Sequence, residues 1–290
     1  MKCNLLVCLL LCFSYVFISC DNSEKKEAEQ IVSIADSLYR ANDYDGALEM
    51  LQTLKEKYPN ALQARQQGLE LKREIKIAIS HKDSIDIVHQ MLLIESYSDS
   101  LYSEFVLVEA KDMPDENILR YHGYDAIKKH PNSPFLDVYI TSKGDLELVA
   151  GISGNKYSGI SYIKVEDIQD KTFYISDTLN YDGGLNYRYN NLGIYYERLT
   201  FSGESANKIA SFIENAPNND KIMVSFGLEK GLWTNKFLLP YESKIAIVTC
   251  YHYAQSLASL KELQSKLDIH NKRIAMEEER KMKDKVKDLK

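Results

Sequence analysis

The chain has 290 residues, with 36 lysines and arginines against 42 aspartates and glutamates, for a net charge of −6. Nothing in that balance suggests nucleic-acid binding, which needs a concentrated basic face. Six prolines and thirteen glycines exclude a long disordered linker, and the length suits two modest domains or one large one.

Residues 1–19 differ from everything after them. Lys2 is their only charge, Leu5 to Ile18 is an almost unbroken apolar run, and Asp21 to Lys26 is abruptly polar. A positive start, a short apolar stretch and a small residue at the break predict a secretory signal peptide. The run falls short of the roughly 20 apolar residues that a bilayer span needs. Phe17-Ile18-Ser19-Cys20 resembles the lipobox, with Phe17 standing where leucine is usual. The resemblance implies diacylglycerol on the Cys20 thiol and cleavage before it. Several acyl chains, at about 0.8 kcal/mol per buried methylene, then hold the protein to a membrane. Asp21 and Glu24 beside the anchor imply outer-membrane sorting on the same resemblance, with the leaflet face left open. Cys3, Cys8 and Cys12 fall in the discarded segment, so a lipidated Cys20 leaves Cys250 without a disulfide partner. Cys250 is therefore expected to be a small buried core residue.

Residues 24 to about 100 read as helical. Ala35, Ala47 and Pro59 recur at intervals of twelve, with Leu38-Tyr39 on a first helix and Asp43-Tyr44-Asp45 in a turn. The alanines let two helices approach closely and Pro59 stops the second, so Ile31, Ile34 and Leu38 are expected to face Leu48, Leu51 and Leu54. In these features Glu27 to Asn60 resembles one tetratricopeptide repeat unit, with Ile31 in place of the usual aromatic. Stable arrays need about three units, and no second copy follows, because the equivalent small positions hold Leu69 and His81. Ala61 to Ser80 reads instead as one long helix with Leu71, Ile75 and Ile79 on a face. A break or kink is expected at His81-Lys82-Asp83-Ser84, with Asp83 or Ser84 as cap. Helix resumes through Ile85, Val88, Leu92 and Tyr97, and these helices are expected to cap the hairpin.

After Asp99 the period changes. Phe105 to Val108 is a short strand or a helix end, and Met113 to His130 is ambiguous apart from a short helix around Asp125 to Lys129. Leu136, Val138 and Ile140 alternate, Ser142-Lys143-Gly144-Asp145 turns, and Leu146, Leu148 and Ala150 follow, which predicts a hairpin. Further strands are expected at Ile160 to Val165, Thr172 to Ser176, Leu192 to Phe201, Lys221 to Phe226 and Lys236 to Leu239. A helix from Glu204 to Asn215 has Ser202 as its cap and Ile209, Phe212 and Ile213 inward. From Glu242 a last helix carries Ile245, Val248, Leu257, Leu260, Leu263 and Leu267. Its stripe fades beyond Ile269, leaving the distal part solvated, frayed or docked on a partner. The expected architecture is α+β: a signal peptide over 1–19, a tetratricopeptide-like helical region over 20–100, an antiparallel sheet domain over 101–268 and a charged helical tail over 269–290.

Catalytic chemistry finds little support. His122, Asp125 and His130 fall within nine residues, but they lack the i, i+4 spacing of a helical metal motif, and zinc needs three or four converging ligands. Cys250 and His252 sit two apart on a helix and do not face each other. Gly151, Gly154 and Gly159 lead into a strand rather than a helix N-terminus, so they read as a turn and hold no phosphate. No catalytic residue, metal or cofactor is expected. The richest surface is Asn180 to Asn191, a loop or wide hairpin tip in which Tyr181, Tyr187 and Tyr189 alternate with amides. Trp233 lies in a second glycine-containing turn. Rigid tyrosines beside amides bind other surfaces at low entropic cost, so Tyr181, Tyr187, Tyr189 and Trp233 are the candidate ligand or partner residues.

In general style the chain resembles lipoproteins of Bacteroidota-type bacteria that join such helices to a β-rich domain. The expectation is a non-catalytic envelope lipoprotein that acts as a protein-binding or scaffold module. One alternative is a glycan-binding module using the tyrosine loop. Another is an envelope hydrolase assembled from His122, Asp125, His130 and His252.

Overall fold

A computed structural model describes residues 23–109, 117–216, 221–228 and 230–288. The expected signal peptide over 1–19, Cys20 and the start of the ambiguous Met113–His130 stretch lie outside them. The fold is α+β, and the described residues divide into two units: one up to Gln90 together with those from Leu263 on, the other from Met91 to Glu262. Among the described residues no helix is long and apolar enough to cross a membrane.

The first unit is helical. Helix α1 covers residues 23–40, α2 runs Tyr44–Lys57, and α3 runs Leu62–Tyr102, of which the part up to Gln90 belongs here. Asp43 caps α2, its carboxylate accepting from the Gly46 N–H at 3.0 Å. Ala28, Ala35 and Ala47 are fully buried beside Leu51, Leu54, Leu71 and Ile75, so small residues sit where backbones cross. Gly68 serves the same end on α3, since a Cβ there would lie 2.7 Å from Leu54 Cδ2. Ile34 does not face the partner helix as expected: it lies one residue, about 100° of helix rotation, from Ala35 and stays exposed.

No break occurs at residues 81–84, and α3 continues through them. The Ser84 hydroxyl donates back to the Ser80 carbonyl at 2.8 Å, an intrahelical bond that leaves it no capping role. Ile85 and Val88 consequently stay exposed. The final helix, α6 (Tyr241–Asp288), does not simply fade beyond Ile269. Leu263 and Ile274 are buried, Lys281 meets Glu74 at 2.6 Å and His270 lies 3.6 Å from Asp83. The charged stretch thus docks on this chain's own α3.

The second unit carries two antiparallel sheets. Its strands are β1 (Phe105–Glu109), β2 (Asn117–Tyr121), β3 (Phe135–Ile140), β4 (Leu146–Gly154), β5 (Ile160–Asp167), β6 (Phe173–Ile175), β7 (Asn186–Asn191), β8 (Ile194–Ser202), β9 (Ile222–Leu228) and β10 (Trp233–Leu238). The first sheet is six-stranded in the order β1-β2-β3-β4-β8-β7, the second four-stranded in the order β10-β9-β5-β6. A short helix α4 (Ala126–Lys129) precedes β3, and α5 (Gly203–Asn215) follows β8. Inward residues of both sheets, among them Ile163, Val165, Leu199, Phe201 and Phe226, pack with Ile209 and Ile213 of α5. From α6, Ala246, Ile247, Cys250, Tyr253 and Ala254 are buried in this core and the expected Val248 and Leu257 pack against it partly buried, the small residues letting the helix lie close on the sheet. Cys250 is fully buried, and burial pushes its thiol pKa up.

Three readings of this unit change in detail. The ambiguous stretch contains β2, paired with β1 from Phe105↔Tyr121 to Glu109↔Asn117. The second half of the Asn180–Asn191 segment is strand β7, joined to β8 by a two-residue turn in which Leu192 and Gly193 both have positive φ, 49° and 82°. Its one buried residue is Asn186, whose amide donates to the Ile160 carbonyl at 3.0 Å and the Leu179 carbonyl at 2.8 Å. Finally, Ser202 occupies the N-cap position of α5 without a side-chain capping bond.

Candidate functional site: an aromatic cleft on the six-stranded sheet

Strand pairing places Phe135, Gly151, Arg198 and Tyr187 in one row across β3, β4, β8 and β7. The neighbouring row holds Ser153, Tyr196 and Tyr189. All lie on the sheet face opposite the inward residues Leu199 and Phe201, as period-2 alternation requires. A Cβ on Gly151 would come within 2.4 Å of Phe135 Cζ, so the glycine is what lets the Phe135 ring lie across β4. Gly151 and Gly154 therefore belong to a strand rather than to a turn, while Gly159 sits just before β5 with φ +81°.

Beside that ring the tyrosines form a ladder. Tyr189 and Tyr196 stack across the strands with centroids 4.7 Å apart and planes within 9°, and Tyr187 continues the stack at 5.5 Å and 28°. Arg198 donates from Nη2 to the Tyr189 hydroxyl at 3.0 Å, its guanidinium 5.3 Å from the same ring centroid. Arg198, Tyr189 and Tyr196 line a cleft of about 190 Å³ together with Phe135, Ser153, Asn191 and a wall of Ile127, Pro131 and Ser133.

Two buried carboxylates hold this arrangement. Asp137 accepts from the Ala126 N–H at 3.1 Å and from Arg120 Nη1 at 2.8 Å, while Arg120 also reaches the Tyr124 carbonyl at 3.1 Å. This ties α4, and hence the cleft wall, to β3. Asp125 caps α4 by accepting from the Lys128 N–H at 3.0 Å. Burial pushes the Asp125 carboxyl up, yet the Lys128 N–H and the Arg120 and Lys128 charges outweigh it and hold the pKa below the usual carboxylate range. On the inward side of β8, Glu197 accepts the N–H groups of Ser158, Gly159 and Ile160 at 2.5, 2.8 and 3.2 Å, and Arg188 Nε lies 3.4 Å from it. Glu197 thereby fixes the strand that presents Tyr196 and Arg198.

The sequence-derived candidates do not all converge. Tyr189 lines the cleft and Tyr187 stacks beside it. Tyr181 lies under the Arg188 guanidinium at 4.9 Å, away from the ladder. Trp233 opens β10 of the other sheet rather than sitting in a turn, and meets Tyr162 edge-on at 5.0 Å and 82°. Phe135, Tyr196 and Arg198 went unnoticed in the sequence; the alternation of β8 carried the last two, but only recognition of β7 as its partner would have set them against tyrosines.

The polar residues considered for catalysis are dispersed. His122 Nε2 pairs with Glu104 at 2.6 Å, His252 Nε2 with Glu214 at 2.7 Å, and His130 terminates α4 by donating its N–H to the Ala126 carbonyl at 2.9 Å. Among the described residues no three His, Cys, Asp or Glu side chains gather as metal ligands. Chemically, the cleft offers aromatic rings, one guanidinium, an amide and two serine hydroxyls beside the phenols. That set suits stacking against a ring while hydrogen-bonding its substituents. Comparison with known proteins finds no matching family model, no matching curated protein and no matching solved structure.

Proposed function

We propose that this protein is a non-catalytic, lipid-anchored binding protein of the cell envelope whose second unit takes a saccharide ring of a glycan in the Tyr189–Tyr196–Arg198 cleft. The observation that supports this is the parallel-stacked Tyr189–Tyr196 pair with Arg198 bonded to the Tyr189 hydroxyl. A preformed aromatic platform adds little ordering entropy on binding, and Asn191, Ser133 and Ser153 offer partners to ring hydroxyls. The anchor is Cys20, on the lipobox resemblance, and its loss in Cys20→Ala is expected to abolish palmitate labelling.

The test is retention of the full mature chain on polysaccharides from its own envelope. Tyr196→Ala is expected to weaken retention about tenfold or more, since stacking platforms contribute on the order of 1–3 kcal/mol. Undiminished retention in both Tyr189→Ala and Tyr196→Ala would overturn the cleft as the site. A second reading, a protein-binding scaffold, is favoured by the apolar side chains Ile34, Leu69, Ile85 and Val88 left exposed on the helical unit. Recovery of one stoichiometric protein partner, unaffected by changes in the cleft, would select it.

A further inference from the structure

A second recess lies on the other face of the six-stranded sheet, within the same unit. It is an open recess of about 450 Å³ between the β1–β2–β3 end of the sheet and α6, inside the range of about 300–1,000 Å³ usual for small-molecule sites. Its walls are Leu107, Leu119, Ile140, Tyr253, Leu257 and Leu260. Ile140 and Tyr253 are buried, whereas Leu107 is 59% exposed, an apolar side chain on the open side of the recess. Gly144 shapes the far end: at φ +85° it accepts a backbone conformation that disfavours a side chain, and a Cβ there would lie 2.8 Å from Leu257 Cδ1.

Besides Asn117 and the phenol rings of Tyr102 and Tyr253, the polar groups of this recess belong to one turn and the helix beside it. Thr141, Ser142 and Lys143 of the β3–β4 turn line it together with Lys261 of α6. Lys261 Nζ donates to the Lys143 carbonyl at 2.9 Å, which brings the Lys261 ammonium to the turn that carries Lys143. Among the described residues neither has an ion-pair partner. An apolar trough that ends in two cations and two hydroxyls complements one kind of molecule, a single hydrocarbon chain with an anionic head. We infer that this recess is a binding site for a long-chain carboxylate, the chain along Leu107, Leu119 and Leu257 and the carboxylate at Lys143 and Lys261. The saccharide cleft lies on the opposite face and takes no part in it.

Calorimetric titration of dodecanoate, below its micelle concentration, into the full mature chain carrying Cys20→Ser tests this without a competing acyl anchor. One molecule is expected to bind per chain. Leu107→Glu sets a carboxylate against the hydrocarbon path and is expected to weaken binding about tenfold or more. Leu107 is exposed, so the variant should fold; Tyr102→Glu, at a second exposed lining residue, replaces it if circular dichroism shows otherwise. The double variant Lys143→Gln with Lys261→Gln is expected to weaken dodecanoate about five- to tenfold and leave dodecanol within about twofold, the loss of a charge-assisted head-group contact. Tyr196→Ala should bind dodecanoate as the parent does, which separates this site from the saccharide cleft. Absence of dodecanoate binding, indifference to Leu107→Glu, equal losses for dodecanoate and dodecanol in the lysine variant, or full competition by inorganic phosphate would each overturn the inference.

Discussion

The two sheets use the same device to different ends. Each sets a glycine beneath an aromatic ring from a neighbouring strand: Phe135 over Gly151 in the six-stranded sheet, Tyr162 over Gly227 in the four-stranded one, where a Cβ would approach Tyr162 Cε2 to 2.1 Å. Over Gly227 the space beside the ring is taken by Trp233, edge-on at 5.0 Å, with Lys164 Nζ 5.6 Å from both the Trp233 and Phe173 rings. Over Gly151 the ring instead becomes the floor of a cleft, because α4 and the following loop raise a wall beside it. A glycine in a sheet makes room, but a recess forms only where a second element stands over the vacated space.

That contrast can be broken most severely at Asp137. Asp137→Ala leaves Arg120 buried without its carboxylate and is expected to cost about 3–5 kcal/mol. It should release α4 as well, so saccharide retention is lost with stability; chemical denaturation and retention read the two effects. The corresponding ion pair on the flat sheet, Lys164–Glu166 at 2.6 Å, is partly exposed, and Glu166→Gln should cost no more than about 1 kcal/mol. If the two substitutions cost the same, α4 is not held as described.

Substitution of the glycines comes next. Gly151→Ala drives a methyl into the buried Phe135 ring and is expected to cost about 1–3 kcal/mol and close the cleft. Gly227→Ala meets the half-buried Tyr162, which can swing toward solvent, so its thermal unfolding should reveal a smaller loss, about 1 kcal/mol or less. The reverse order would sink the comparison. A lesser effect is expected of Arg198→Lys, which removes the bond to the Tyr189 hydroxyl at a cost of about 0.5–1.5 kcal/mol and weakens retention more than stability.

The smallest effect is a pH dependence. Because the folded Asp125 pKa is held below its ordinary value, its contribution is complete above the unfolded value of about 3.9 and fades as pH falls through the folded one. Denaturation midpoints measured down to about pH 2 should therefore decline less steeply in Asp125→Asn than in the parent. Equal slopes would place the acid sensitivity elsewhere.

These comparisons also mark what could be read before the fold was known. The β3–β4 hairpin was legible because Leu136, Val138 and Ile140 alternate and Ser142 to Asp145 turn. Helix α5 was legible because Ile209 and Ile213 recur at helical spacing. Strand β7 was not, since an edge strand built of Asn, Tyr and Arg buries only Asn186 and shows no hydrophobic alternation. The unbroken α3 was hidden by its polar stretch at 81–84, where Ser84 bonds within the helix instead of capping one. Tyrosine composition pointed to Tyr189, but Phe135 and Arg198 reach it only through strand order, which links residues far apart in the chain. Trp233 misled for the same reason: its glycine neighbour in space is Gly227, not the turn glycine beside it in sequence.

Asn186 has a consequence of its own. Strand β7 is an outer edge of its sheet, and its remaining residues are polar or aromatic on both faces, so hydrophobic burial alone would define its alignment weakly. The amide supplies what burial does not, by bonding to the Ile160 and Leu179 carbonyls. A slip of one residue would carry Tyr187 and Tyr189 into the interior and leave both carbonyls without their donor. Asn186 thus acts as a key that admits a single register, keeping the tyrosines outward and discouraging the edge from pairing with a foreign strand.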